Sequence, residues 1–377
     1  MSKKNILFLI NNLGGGGAEK VLVNLVNHMD YNKYNITLRT LVNEGENKRF
    51  LSNTINYEYI FKKSFKGLNY LHLLPSNYIY KKVAYGTFDV IIVYLHGVLT
   101  KIVANAPASQ NTIAYLHANM QNSPFIKSFS NQKQIVACFK SYNAIVSVSK
   151  SVEESFKAVS GINENLHVIY NTFDVKGIVE KSKEPLNHSD VIIGEADNKI
   201  LNLITVGKLT AVKGYERLIK VIKKLRDYDI KVNLSIVGEG EQRSLLEQYI
   251  KKHQLENSIS LLGFQSNPYK YIVNSDLFVC SSYSEGFSSV VVESIILGVP
   301  VITTDCAGMS EIVGEENEYG IIVDNNEESL YRGLKKMILE RDLITSYSIK
   351  AKERAKYFST EKGVLDVEKL IDRILNG

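Results

Sequence analysis

Residues 281–301, SSYSEGFSSVVVESIILGVPV, lie between two short β-rich runs, Asp276-Leu-Phe-Val-Cys280 and Val299-Pro-Val-Ile-Thr303. Strand, loop, helix, strand is the repeating unit of a parallel α/β sheet. The loop Tyr283-Ser-Glu-Gly-Phe287 feeds a helix of about ten residues that ends at Gly298, a C′ glycine. Ser288 or Ser289 is placed to cap its N-terminus by accepting from an orphan backbone N–H. A helix start beside a glycine-containing loop combines unpaired N–H groups with the positive end of the macrodipole, which makes it an anion site. Glu285 stands in the loop and Glu293 one turn inside the helix. An anion cradle between two carboxylates suits a ligand with both phosphates and sugar hydroxyls, which suggests a nucleotide sugar. Two glutamates with seven residues between them also fit a solvated helix face, so that spacing alone does not decide.

Composition sets the bounds. A chain of 377 residues suits two domains of about 180 each. With 45% hydrophobic and 23% charged residues it reads as globular rather than disordered or fibrous. No apolar run approaches the roughly 18 residues of a membrane span. The N-terminal MSKKNILFLINNLGGGG mimics a signal peptide, but Asn11 and Asn12 break the short apolar run, and a first β-strand is the better reading. Cys138, Cys280 and Cys306 form no metal or redox spacing, which points to reduced cysteines in a cytosolic protein. Residues 1–180 carry 19 Lys+Arg against 11 Asp+Glu, or +8, and residues 181–377 carry 26 against 29, or −3. The two halves therefore face different partners.

Residues 5–10 form an unbroken apolar run of the kind a buried parallel strand needs. Gly14–Gly17 and a helix through about His28 follow, which is the phosphate-approach geometry of α/β folds. Neither G-x-G-x-x-G, which meets Glu19 at its sixth position, nor a Walker loop fits. Strand candidates at 35–40, 55–60, 89–95, 112–116, 144–148 and 166–170 alternate with helical segments, so the first half reads as a doubly wound sheet. The strand Thr112–Leu116 delivers His117 at its C-terminal end, where open α/β sheets bind ligands, and His96 competes from the preceding strand. Residues 61–85 mix Lys62, Lys63, Lys66, Lys81 and Lys82 with Phe, Tyr and Leu. That segment fits membrane-surface docking or an ordinary pair of surface helices, and no nucleic-acid motif accompanies it. Residues 176–199 read as the linker to a second α/β pattern that begins at Leu201. Asp227-Tyr-Asp229 has the form of an Asp-x-Asp metal site, but its position between a helix and a strand needs only a turn. Gly238-x-Gly240 lacks the third glycine of a nucleotide fingerprint, for Arg243 stands there.

Read with both flanking strands, E-GFSSVVV-E followed by ILGVPVI resembles the signature of the family-4 glycosyltransferases of GT-B fold. GGGGAE resembles the family loop that meets the donor phosphates and borders the acceptor site, which implicates Gly15, Gly16 and Gly17. AYLHANM resembles the segment carrying an active-site histidine and selects His117 over His96. HVIYNTFD resembles the hinge-side V-I-x-N-x-x-D motif, in which Asn171 and Asp174 shape the interdomain crevice. Gly207-Lys208 through Lys213-Gly214 resembles the donor-phosphate element, with Lys208 at the usual arginine. A lysine cannot grip phosphate bidentately, so Lys213 carries more weight. Ile259–Phe264 resembles the strand whose end borders the nucleobase, at Gly263 and Phe264. Residues 305–311 and 318–320 match later family elements. The likeness is strongest over 200–323 and weakest over 40–105, where the acceptor would be recognised.

The resemblance implies two facing doubly wound Rossmann-like domains, 1–178 and 199–357, with the helix 358–377 crossing back to the first. It implies retaining transfer of a hexosyl or N-acetylhexosaminyl unit from a nucleotide-diphosphate sugar, expected to be UDP-linked, to a glycan or lipid-linked acceptor in bacterial surface polysaccharide synthesis. Lys213, Lys208 and the helix start at Gly286, Phe287, Ser288 and Ser289 would hold the diphosphate without a metal or cofactor. Glu293 would accept from the ribose hydroxyls, and Glu285 would lie by the transferred sugar. The expected setting is cytoplasmic and peripheral on the inner face of an anionic membrane, with no nucleic-acid partner. A nucleotide-sugar 2-epimerase of the same fold, a glycogen- or sucrose-type synthase, for which the chain is short, and a non-catalytic partner subunit are the other readings.

Overall fold

The computed structural model describes residues 2–14, 16–121, 123–186 and 200–376. The chain divides into two compact units, Met1–Phe173 with Ser359–Gly377, and Asp174–Phe358. The division falls before residue 178 because helix Val175–Ser182 packs on helices Tyr269–Val273 and Ser289–Ile296 of the second unit.

The first unit is built on seven strands: β1 Lys4–Ile10, β2 Tyr34–Val42, β3 Asn56–Phe61, β4 Val90–Val93, β5 Asn111–Leu116, β6 Ala144–Ser147 and β7 Leu166–Val168. They lie all parallel in the order β3-β2-β1-β4-β5-β6-β7. Ile6 to Ile10 of β1 are fully buried because helices cover both faces of the sheet, which is why this strand reads as an unbroken apolar run rather than an alternating one. Helix Gly17–His28 lays Val21, Leu22, Leu25 and Val26 against the sheet, a spacing of three and four that makes one helical face. The final helix, Thr360–Asn376, packs on that helix through Val364, Val367, Leu370 and Ile371. Two polar contacts fix its register: Glu368 Oε1 accepts from the Asp30 backbone N–H at 2.7 Å, and the Tyr34 hydroxyl donates to Asp372 at 2.6 Å. The chain thus ends in the unit where it began.

The second unit has six parallel strands: β8 Leu201–Val206, β9 Val232–Val237, β10 Ile259–Gly263, β11 Leu277–Cys280, β12 Val301–Thr304 and β13 Ile321–Val323. Their order is β10-β9-β8-β11-β12-β13. The order reverses between β8 and β11, which makes the carboxyl edge at these two neighbours the switch point where open α/β sheets bind ligands. Helix Tyr215–Asp227 buries Leu218, Ile219, Ile222 and Leu225, and helix Glu327–Leu339 packs beside it. The helix expected after residue 288 runs over Ser289–Ile296, and Gly298 follows with φ +72°, the left-handed C′ position that terminates it.

Candidate active site

The loop after β8 and the loop after β11 meet at the strand-order reversal. Lys213 closes a 3₁₀ turn, Ala211–Lys213, and Gly214 follows at φ +65°. A Cβ on Gly214 would stand 2.2 Å from the Ser281 carbonyl oxygen, so only glycine lets the two loops touch there. The contact is zipped by Tyr283 N–H donating to Val212 O at 2.8 Å and Ser281 Oγ donating to Lys213 O at 3.0 Å.

This packing delivers Lys213 to Glu285. Lys213 Nζ lies 2.6 Å from Glu285 Oε1, and Ser282 Oγ donates to the same oxygen at 2.6 Å. The side chains are 26% and 11% exposed, a setting with much less solvent screening than a surface pair. Burial opposes the Lys213 charge, but the attraction and hydrogen bond of Glu285 outweigh it and hold the ammonium above its ordinary range. A cavity of about 10 Å³, room for one water, adjoins the pair and is lined by Thr205, Tyr215, Cys280 and Ser282. Cys280 and Cys306 are free thiols, and burial pushes Cys306 up to about 12, so neither is a nucleophile at neutral pH.

A residue that the sequence did not single out holds this arrangement. Arg217 is 3% exposed. Its guanidinium donates to the carbonyls of Ser281 and Ser282 and, at 2.8 Å, to Asn325 Oδ1, and it stacks 4.1 Å over the Tyr283 ring. Asn325 in turn donates to Tyr283 O and Asp305 O, both at 3.0 Å, and Thr304 Oγ1 donates to Ser282 O at 2.6 Å. Glu285 is therefore aimed by a loop in which the Ser281, Ser282 and Tyr283 carbonyls are all engaged.

Helix Ser289–Ile296 starts three residues beyond Gly286, and Gly286, Phe287 and Ser288 are buried. Ser288 occupies the N-cap without a side-chain cap bond, and Ser289 is the first helical residue, so the expected hydroxyl cap is not made. The start of this helix is held by backbone packing instead: a Cβ on Gly308 would lie 2.4 Å from the Gly286 carbonyl. Glu293 is 5% exposed, and the Tyr269 hydroxyl donates to its Oε1 at 3.4 Å. Lys208 is exposed on the same β8 loop.

The loops after β9 and β10 join that rim through main chain. Leu209 N–H donates to Glu239 O at 2.9 Å, and Gly238 N–H donates to Gly263 O at 2.8 Å. A Cβ on Gly238 would fall 1.9 Å from Gly207 O, which explains the Gly238-x-Gly240 pair by loop packing and not by a nucleotide fingerprint. Phe264 follows β10 with its ring 49% exposed. Asp227 pairs with Lys223 on the outer surface of its helix, and Asp229 takes a left-handed turn (φ +56°) into the start of β9, the edge opposite the rim.

In the first unit, Gly14, Gly16 and Gly17 follow β1, and Gly15 lies outside the described residues. Gly16 is the N-cap of helix Gly17–His28 and supplies no capping side chain. Asn47 donates its amide to Gly14 O, and the glycine loop also takes the Asn47 N–H on Leu13 O at 3.0 Å. His117 sits at the end of β5 with its Nε2 buried and unpartnered, and its ring lies 4.8 Å from Tyr94. His96 Nδ1 accepts from the His117 backbone N–H at 3.4 Å. Burial first, and then the neighbouring His96, pulls His117 down to about 3, against a hydrogen bond with the Tyr94 backbone; burial pulls His96 to about 4. Both imidazoles are neutral at pH 7 and serve as hydrogen-bonding groups rather than cations. Asn171 Oδ1 is also buried without a partner, whereas Asp174 caps helix Val175–Ser182 by accepting from Gly177 N–H at 2.9 Å.

The chain has known relatives. Residues 15–176 match the model of Glycosyltransferase Family 4, and residues 191–354 that of Glycosyl transferases group 1. The chain is 30% identical, over 96% of its length and 98% of the relative's, to a Campylobacter jejuni N-acetylgalactosamine-N,N'-diacetylbacillosaminyl-diphospho-undecaprenol 4-alpha-N-acetylgalactosaminyltransferase. It belongs to the family-4 glycosyltransferases and has their GT-B fold. Among solved structures, Anabaena Alr3699/HepE in complex with UDP and glucose aligns with a TM-score of 0.76 at 20% identity, covering 98% of this chain and 99% of that one. Sucrose-phosphate synthase from Thermosynechococcus elongatus aligns at 0.81 with 15% identity, covering 99% and 100%. At those identities the likeness is one of fold.

Proposed function

We propose that this glycosyltransferase moves a hexosyl or N-acetylhexosaminyl unit from a UDP-linked sugar, with retention, to a lipid-linked glycan acceptor at a bacterial membrane. The observation that carries the reading is the half-buried Lys213–Glu285 pair at the strand-order reversal of the second sheet, 2.6 Å long and braced by Ser282. Departure of a nucleoside diphosphate develops negative charge, and a fixed ammonium in a poorly screened crevice stabilises that charge more in the transition state than in the ground state. Lys208 and the N–H groups at the start of helix Ser289–Ile296 add to that positive potential. With this much fixed positive potential, departure proceeds without a metal. Glu285, once Lys213 turns to phosphate, is left to orient hydroxyls of the transferred sugar or to stabilise positive charge at its anomeric carbon. Glu293 accepts from the ribose, and neutral His117 hydrogen-bonds a sugar hydroxyl. The Campylobacter jejuni relative, whose name places its acceptor on diphospho-undecaprenol, supports a lipid-linked acceptor.

The test is a donor screen. UDP-GlcNAc, UDP-GalNAc, UDP-glucose and their GDP counterparts are incubated with the full chain, with and without a polyprenyl-diphosphate saccharide. One UDP donor should release UDP, faster with acceptor, at a rate EDTA leaves unchanged, and NMR should show an α-linked product. Inversion at C2 of the free donor with no transfer would make the protein an epimerase. Activity lost on chelation and restored by Mn²⁺ would end the metal-free account.

A further inference from the structure

The stretch between β3 and β4 contains Lys62, Lys63, Lys66, Lys81 and Lys82 and no Asp or Glu up to Tyr85. All five lysines are exposed. Two short helices follow each other here, a 3₁₀ helix Leu68–Leu73 and an α-helix Ser76–Val83. Side chains three apart eclipse on a 3₁₀ helix, so Tyr70 and Leu73 form one ridge, 67% and 72% exposed, while Leu71 points inward at 8%. On the α-helix Ile79 and Val83 face inward, and Tyr78, Lys81 and Lys82, spaced by three and four, share the outward face. Leu74, between the helices, is 43% exposed and Tyr78 is 59% exposed.

Single exposed apolar side chains are normal on a soluble surface, but four within nine residues on an anchored scaffold are a patch. The scaffold is anchored because both short helices pack on helix Val98–Val103. The preceding loop is tied down as well, by Ser64 N–H donating to Glu44 at 2.9 Å and by Phe65 set edge-on to Phe61. The nearby carboxylate of Glu58 is engaged by Arg39, which leaves the lysines without competing acids in their own segment.

We infer that this face docks on an anionic bilayer, with Tyr70, Leu73, Leu74 and Tyr78 entering the headgroup boundary and the lysines meeting anionic lipid. Charge complementarity selects this occupant: an amphipathic face with cations around an apolar ridge gains from both parts of a lipid interface. Each lysine near such a surface strengthens binding about fivefold. The inference rests on the lipid-linked acceptor proposed above, which gives the docking its use.

Sedimentation of the full chain with phosphatidylglycerol and phosphatidylcholine vesicles tests it, alongside UDP release with a water-soluble acceptor. Wild type should bind phosphatidylglycerol at low salt, weaken at high salt, and ignore pure phosphatidylcholine. Lys62→Ser/Lys63→Ser/Lys66→Ser should bind about a hundredfold more weakly. Leu73→Ser/Leu74→Ser should weaken binding even at low salt, and both variants should keep the wild-type Tm and UDP release. Wild type that ignores anionic vesicles, or variants that bind like wild type, overturn the inference. So does a wild-type dimer in solution that Leu73→Ser/Leu74→Ser converts to monomer, for the face then serves a second copy. Vesicle binding by a chain that turns over no nucleotide sugar would leave the surface standing and remove the transfer reaction instead.

Discussion

Lys213 and Glu285, 72 residues apart in sequence, form a half-buried ion pair 2.6 Å long that joins the loops leaving two adjacent strands. The cation proposed to receive a diphosphate is thus already engaged by the carboxylate proposed to face the sugar. Donor phosphate and Glu285 compete for one ammonium. Lys213→Ala should lower kcat/KM by about 10²–10³-fold, the effect of removing one preorganised donor. Glu285→Gln should instead bind UDP as tightly as wild type or a few-fold more tightly, because it frees Lys213, while transfer falls by a comparable factor. Calorimetric titration with UDP beside steady-state rates separates the two. Parallel loss of UDP binding in both variants would show that the pair is structural only.

Arg217 should matter to stability because it braces the loop that carries Glu285. Arg217→Ala leaves two loop carbonyls and Asn325 without their donor and should cost about 3 kcal/mol or more in chemical denaturation. Arg217→Lys keeps charge but lacks the planar fork, so it should recover only part of that loss. If both variants unfold like wild type, the bracing described for the Ser281–Glu285 loop is incorrect.

The two histidines of the first unit give a signed pH response. Their folded pKa values, about 3 for His117 and about 4 for His96, lie below the ordinary 6.5, so the unfolded chain binds more protons in acid. Their contribution is complete above pH 6.5 and is withdrawn as pH falls toward 4 for His96 and 3 for His117, by about 3 kcal/mol or more per histidine. His96→Asn should flatten the decline of Tm over that window. Above pH 5 the rate should show no limb from His117, since its imidazole is neutral throughout. A bell-shaped profile with a limb near 6.5 that His117→Asn abolishes would mean that the ring titrates in the working enzyme.

The strands are legible because both sheets are parallel and covered on two faces, so runs such as Ile6–Ile10 and Val90–Val93 are apolar without interruption. Lys213 can be found singly, beside the Gly214 its loop requires, and Glu285 beside Gly286, but their contact cannot, since a strand-order reversal leaves no trace in local pattern. Arg217 was missed for a related reason. On a helix with Lys220, Lys223 and Lys224 an arginine reads as one more solvated charge, and only the Ser281 and Ser282 carbonyls arriving from another loop make it a core residue. Ser288 and Ser289 both stand where a capping hydroxyl belongs in the sequence; close packing of Gly308 on Gly286 holds the helix start without either.

The rim formed by the loops after β8, β9 and β10 is fastened by peptide groups, Leu209 to Glu239 and Gly238 to Gly263. Its architecture is therefore indifferent to which side chains stand at 208, 239 and 264, provided the glycines remain. Mutation can redraw the outward chemistry of that edge without unseating Lys213 or Glu285. A lineage can in this way exchange one activated sugar for another by drift at a few positions, while the machinery of departure is inherited intact. The same separation makes these three positions the place to begin a library aimed at altered donor choice.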